Sequence, residues 1–590
     1  MAAGTAVRSI AQLTAPDSSK GRFSIAPIRK CRSVSFKFRF RCLSMNGCGG
    51  DPESAVGVCE TRTLPAVYTP EMALNQLTSA VLALKSKPPC FSSGIIRLEV
   101  PILEQIEAMK WLQAQSQLPR CFFSGRRSQS NITSHLLSND DDRVDEGRVN
   151  GYKPFQTTTT MVPKLLSVAG IGSAVFFHCS QPFTFNDWRC IRRFLSKDCP
   201  LIRAYGTIRF DARTDIASEW EGFGSFYFNI PQVELDEFEG SSMLVITIAW
   251  DDTLLWSWGK AVDVLQTTLR QISISMESKK EVPRPVIISK NHIPNKASWD
   301  VAVKKALQMI DGRSSDLTKV VLARSTRVAT NTDIDPLALL SSLKVEGQNS
   351  FQFCIQPPNA PAFIGNTPEQ LFHRKHLNVS SEALAGTRAR SGSKDLDLQI
   401  ERDLLSSPKD HLEFIIVRES IKSKLETLCN QVVIKPKKGI RKLPRVQHLY
   451  AQLSGRVRSE GDEFDILSSI HPTPAVCGFP TEDARQFIAE TEMFDRGMYA
   501  GPVGWFGGRE SEFAVGIRSA LVEKGLGMAI FAGVGIVKGT NPCSEWEELD
   551  LKASQFTKLI EMGGEQFTKP IGDEKPHSSH QEADSIGSIN

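Results

Sequence analysis

This 590-residue chain lacks several features that would have fixed its class at once. No long apolar run is present. The longest, around Leu165 to Phe177, is broken by Gly and Ser and is too short to cross a bilayer. Neither charge sign dominates, with 70 Lys and Arg against 66 Asp and Glu. No basic stripe is interleaved with aromatics, which argues against a nucleic-acid binder. The 13 cysteines contain no CxxC pair and have no histidine-rich partner spacing. That argues against a zinc site and a disulfide framework and predicts reduced, mostly buried thiols. There is no GxGxxG opening a helix, no P-loop, and no repeat at a solenoid period.

What is present is unevenly distributed. Residues 1–50 hold nine Lys/Arg and one acid, Asp17, whereas the remaining 540 residues carry 61 basic and 65 acidic side chains. The first ~45 residues contain seven Ser, scattered Arg and no apolar core of a secretory signal. We read 1–48 as a plastid transit peptide, with cleavage between Arg41 and Glu60, and expect the chloroplast stroma as the destination. With 41% hydrophobic residues, most of the rest can bury a core. Residues 60–290 are expected to be strand-rich, with strands near Ala174, Ala204–Phe210, Gly224–Phe228 and Met243–Trp250, and a helix near Thr253–Ser273. Ser124 to Lys153 reads as an acidic surface loop, and Glu281 to Asn295 as a crossover. Residues 291–566 alternate helices and strands. Residues 567–590 are polar and read as a disordered tail.

Four acids stand out because of where they fall. In Ser407-Pro-Lys-Asp410-His-Leu-Glu413, Ser407 is a helix cap, Pro408 takes the first helical position, and Asp410 and Glu413 share a face. Asn541-Pro-Cys-Ser-Glu545-Trp-Glu-Glu548 repeats the design, followed by a core seam of Trp546, Leu549, Ala553, Phe556 and Ile560. Two helix starts with paired acids suit a hard cation such as Mg²⁺, which prefers carboxylate oxygens. Acids in a first helical turn are also ordinary, since the helix dipole favours them. Lys319 leads the apolar strand Lys319-Val-Val-Leu-Ala-Arg324, and Glu369 follows Pro in Thr367-Pro-Glu369. Ser381-Glu-Ala-Leu-Ala-Gly386-Thr387 and Gly533-Val-Gly535-Ile-Val-Lys538 read as strands beside glycine turns whose N–H groups suit an anion.

These strings occur in a fixed order with His471-Pro-Thr-Pro-Ala475-Val-Cys-Gly and Tyr499-Ala-Gly-Pro-Val-Gly-Trp505. The ordered set, over about residues 297–560, resembles the chorismate-utilising enzymes. Within them the chain is most similar to the isochorismate synthases of plant plastids. The resemblance implies an α+β fold in which two antiparallel sheets pack face to face, helices lie outside and the active site occupies a cleft. It implies chorismate as substrate, Mg²⁺ as cofactor and isomerisation to isochorismate for salicylate and phylloquinone synthesis. It makes Lys319 the general base and Glu369 the general acid. Glu413 and Glu548 would ligate the metal, with Glu545 and Asp410 holding its waters. Gly386, Thr387, His448, Ala475, Tyr499, Arg518, Gly533, Gly535 and Lys538 would contact substrate. Ala475, where aminating relatives tend to have Thr, favours water over ammonia. Phe414 departs from the family, where His often follows the ligand acid. A salicylate synthase that adds pyruvate elimination, or a silent chorismate-binding paralogue, are the alternatives. No nucleic-acid, membrane or subunit partner is expected.

Overall fold

The elements around the helix starts form as local chemistry dictates. Ser407 accepts from the Asp410 N–H at 3.3 Å and opens the helix Pro408–Leu428. Asn541 accepts from Cys543 N–H at 2.9 Å before the helix Pro542–Met562. In each, a side-chain oxygen satisfies an N–H that has no carbonyl partner within the helix. Leu549, Ala553 and Phe556 are buried, so the seam of the second helix faces the core.

The chain, as a computed structural model, is described over residues 44–126, 164–274, 285–312, 315–346, 349–459, 461–525 and 527–562. The basic N-terminal stretch, most of the acidic stretch before Lys153, and the polar tail lie outside these residues. Everything described belongs to one unit, Leu43–Asn590.

Two large sheets organise that unit. Among the described residues the larger has 13 strands, in the order Ile287–Ile293, Lys319–Thr330, Gly527–Val537, Ser519–Glu523, Ala362–Thr367, Phe351–Gln356, Arg120–Ser124, Leu165–Ile171, Val233–Phe238, Ser241–Asp251, Ser93–Ile102 and Val58–Thr63. Gly478–Phe479 pairs beside Lys319–Thr330. The smaller has 11, in the order Met45–Asn46, Val175–Cys179, Phe226–Ile230, Arg203–Ile208, Pro502–Gly507, Glu510–Val515, Gln370–Lys375, Asn378–Ala389, Val446–Val457 and Cys429–Ile434, with Gly439–Lys442 paired to Val446–Val457. Strands from both halves of the sequence enter both sheets. Tyr205 of the smaller sheet is buried beside Glu234, Asp236 and Cys121 of the larger.

The expected sheets are antiparallel except at two edges. Met45–Asn46 runs parallel to Val175–Cys179, and Val58–Thr63 parallel to Ser93–Ile102. The second follows from connectivity. Helix Pro70–Ser86 lies between those strands, and a helical crossover returns the chain in the same direction. The strand Ile287–Ile293 occupies the stretch read as a simple crossover. The helix expected near Thr253–Ser273 is Trp258–Leu269, capped by Ser257.

Candidate active site

A cleft between the sheets collects side chains from six elements. Lys319 begins its strand and is fully buried. The neighbouring strand places Gly535 opposite Val321 and Gly533 opposite Ala323. A side chain at Gly535 would overlap the Glu413 carboxylate and crowd Lys319, so glycine there makes room for that pair. One at Gly533 would sit 2.7 Å from the Tyr499 hydroxyl. These two glycines therefore serve close packing; they lie in a continuous strand, Gly527–Val537, and form no anion-binding turn. Gly386 likewise sits inside a strand, at a bulge between Ala385 and Thr387, with φ +68°.

Lys319 Nζ lies 3.0 Å from Glu413 Oε1 but makes no aligned hydrogen bond. Glu369 is also buried, and its Oε1 has no hydrogen-bond partner among the described residues. Burial, and next the negative charge of Glu382, push the Glu369 carboxyl up to about 8, against the pull of Lys319, Lys552 and Arg441. The cleft thus holds a carboxylic acid that keeps its proton near neutrality, while the buried Lys319 amine lies behind Glu413 and is not among the residues that line it.

His448 is neutral. Burial, with Arg518 and Lys552 nearby, pushes its ring down to about 3. Its Nδ1 lies 3.2 Å from the Gly386 carbonyl, which only accepts, so Nδ1 carries the proton. Nε2 then offers a lone pair toward Arg518, 3.5 Å away. The expected neutral ring is present, but its N–H is engaged with the backbone. Arg518 is half-buried, forms no ion pair among the described residues, and takes a left-handed φ of 50°. A half-buried guanidinium without a carboxylate, at the edge of the cleft, suits a ligand carboxylate.

The four acids behave differently from one another. Glu413 pairs with Lys319, Glu545 with Lys409, Glu548 with Lys552 at 2.7 Å, and Asp410 with Arg388. Burial raises Glu545 to about 7; Lys409 opposes this, while Glu548 and Glu413 add to it. Burial would raise Glu548 too, but Lys552, Thr387 and Lys409 hold it below the usual range. The mutual repulsion places the three glutamates in one neighbourhood, and all three line the cleft. Their hard oxygens fit a divalent cation. As they stand, no three acids among the described residues are close enough to share an ion, because each is held by its own cation. Asp410 is turned to Arg388, with Gly386 packed against it.

Gly386, Thr387, Ala475 and Tyr499 also line the cleft. Lys538 does not. The strand ends at Val537, and Lys538 points outward, 79% exposed and 3.8 Å from Asp311. The cations that sequence reasoning missed are Lys552 and Lys409. Lys552 stands four residues after Glu548 on the same helix face, a spacing that pairs opposite charges, and also donates to the Gly533 carbonyl at 2.7 Å.

A protonated carboxylic acid, a guanidinium without an ion pair and three glutamates in one cleft suit acid–base chemistry on an anionic substrate. The profile of the family "Chorismate binding enzyme" matches residues 161–561. The chain is 58% identical to "Isochorismate synthase, chloroplastic" of Catharanthus roseus over 88% of its own length and 90% of the relative's. It is 56% identical to "Isochorismate synthase 2, chloroplastic" of Arabidopsis thaliana, over 92% and 95%. Among solved structures, MenF, the menaquinone-specific isochorismate synthase of Escherichia coli, superposes with TM-score 0.66 at 24% identity, covering 83% of this chain and all of that one. The chain belongs to the chorismate-binding enzyme family.

Proposed function

We propose that this protein is an isochorismate synthase of the plastid stroma, adding water at C2 of chorismate and expelling the C4 hydroxyl, with Mg²⁺ bound. The observation that carries the reading is a buried glutamate that retains its proton in the cleft, with a buried lysine 3.0 Å from Glu413 of the same lining. Its likeness to the plant enzymes supports the same reaction.

In this reading Lys319 takes a proton from the attacking water, and Glu369 gives one to the departing hydroxyl. Glu413 holds the Lys319 amine at 3.0 Å, so that amine is free to meet the attacking water when Glu413 is engaged elsewhere. Arg518 holds a substrate carboxylate, and His448, fixed as the Nδ1–H tautomer, orients Arg518 from the other side. Glu413, Glu545 and Glu548 would hold Mg²⁺, which would supply a positive charge for an anionic substrate. Asp410 supports this set from its pair with Arg388. Isochorismate made here would feed salicylate and phylloquinone synthesis. The test incubates purified protein with chorismate, with and without Mg²⁺, and identifies the product. Isochorismate formed only with Mg²⁺ is expected; salicylate and pyruvate without an added lyase would overturn the reading.

A further inference from the structure

The turn that carries Glu369 is gripped by a buried ionic cluster that the chemistry above does not use. Glu382, 1% exposed, accepts from two arginines at once. Arg126 donates to it at 2.8 and 2.5 Å, and Arg441 at 2.7 and 3.0 Å. The same arginines also donate to the carbonyl of Pro368, at 3.0 and 3.4 Å. On the other flank of Glu369, the Gln370 N–H donates to Glu382 at 3.3 Å. Tyr450 Oη lies 3.4 Å from Glu382, and Arg441 stacks on its ring. The backbone on both sides of the acid is therefore tied to one carboxylate. Arg126 comes from the end of a strand in the first half of the chain, 256 residues from Glu382.

We propose that Glu382, clamped by Arg126 and Arg441, is a positioning residue for the general acid: it fixes the turn that aims Glu369 into the cleft and places a negative charge beside it. This rests on the reading of Glu369 as the acid. A carboxyl that must deliver a proton along one line loses turnover when its backbone drifts by a fraction of an ångström. The charge has a second effect. The groups that act on Glu369 are Glu382 from the strand Asn378–Ala389, Arg441 from Gly439–Lys442, Lys319 from its strand, Lys552 from the helix Pro542–Met562, and Tyr499. Of these, Glu382 is the anion that favours the protonated acid; the three cations oppose it.

Two substitutions separate aim from charge. Arg126→Met leaves Glu382 paired with Arg441, and is expected to lower kcat between roughly ten- and a hundredfold. KM and the alkaline limb of the pH profile should stay as in the parent. Glu382→Gln is expected to lower kcat similarly and to move that limb to lower pH, by roughly one unit. If Glu382→Gln does not fold, because two arginines then lie buried without a counter-charge, the double variant Glu382→Gln/Arg126→Met takes its place with the same expected shift. Folded variants with parental kcat and parental limb would overturn the proposal. Glu369→Gln, assayed alongside, separates the two failures. If it stays active, the acid assignment itself is wrong; if it is inactive while the clamp variants match the parent, only the clamp is wrong.

Discussion

Two buried glutamates in this protein look alike by burial and charge and differ in everything around them. Glu234, in the larger sheet, and Glu369, in the cleft, are both nearly inaccessible, and burial raises both carboxyls above the usual range. Each has one carboxylate oxygen without a hydrogen-bond partner among the described residues. The other oxygen of Glu234 accepts from Arg97 at 2.5 Å, and the same fully buried guanidinium reaches Glu99 and Asp236 at 2.6 Å. The carboxyl of Glu369 meets no ion pair and no side-chain hydrogen bond among the described residues, and it faces an open cleft. A raised carboxyl therefore does not by itself mark a catalytic acid. The free donor position and the space beside it do.

The comparison breaks most sharply on turnover. Glu369→Gln and Lys319→Ala are each expected to lower kcat by roughly 10²–10⁴-fold, the range for losing a general acid or base. Glu369→Gln should also leave the protein at least as stable. Because folding holds the Glu369 carboxyl at about 8, its contribution to stability is present below the ordinary carboxylate range and is lost as pH rises through about 8. The amide escapes this loss, so melting temperatures of variant and parent should diverge most at pH 8–9 and least near pH 4. Activity of the parent should fall through the same alkaline window. Arg97→Met is the mirror experiment. It strands Glu99, Glu234 and Asp236 without their shared cation, and should cost about 3–5 kcal/mol in denaturant unfolding while the folded fraction keeps its KM. A large loss of kcat there would erase the distinction between the two clusters. The smallest effect is expected at Lys538→Ala, with kcat and KM both unchanged, since that side chain is in solvent.

Much of the site was legible because its signals are local. The caps at Ser407 and Asn541 follow from side-chain chemistry within three residues; they set Asp410 and Glu545 on first turns, with Glu413 facing the cleft further along its helix. Lys319 was legible only through motif order, since a lysine leading an apolar strand is ordinarily an exposed end, and here it is buried. What failed was orientation at strand ends and bulges. Lys538 is one residue past Val537, and no local pattern fixes where a strand stops. The glycines were visible, but their role depends on the partner strand: Gly535 matters because Val321 lies opposite and the Lys319–Glu413 pair lies above it. Lys552 had an available signal in its spacing from Glu548. Arg126 had none, because its partner is 256 residues away and only the pairing of Arg120–Ser124 with Phe351–Gln356 brings them together. The fold was legible through motif order, while the parallel edges depended on connections that apolar patterning does not encode.

The central claim is that solvent water enters at C2 while the C4 hydroxyl leaves, and one measurement addresses both halves. Chorismate is converted by the parent enzyme in oxygen-18 water, and the early product is analysed by mass spectrometry. The account predicts isochorismate with one solvent oxygen, located in its C2 hydroxyl. Unlabelled isochorismate would mean that the original hydroxyl migrates, and would contradict it.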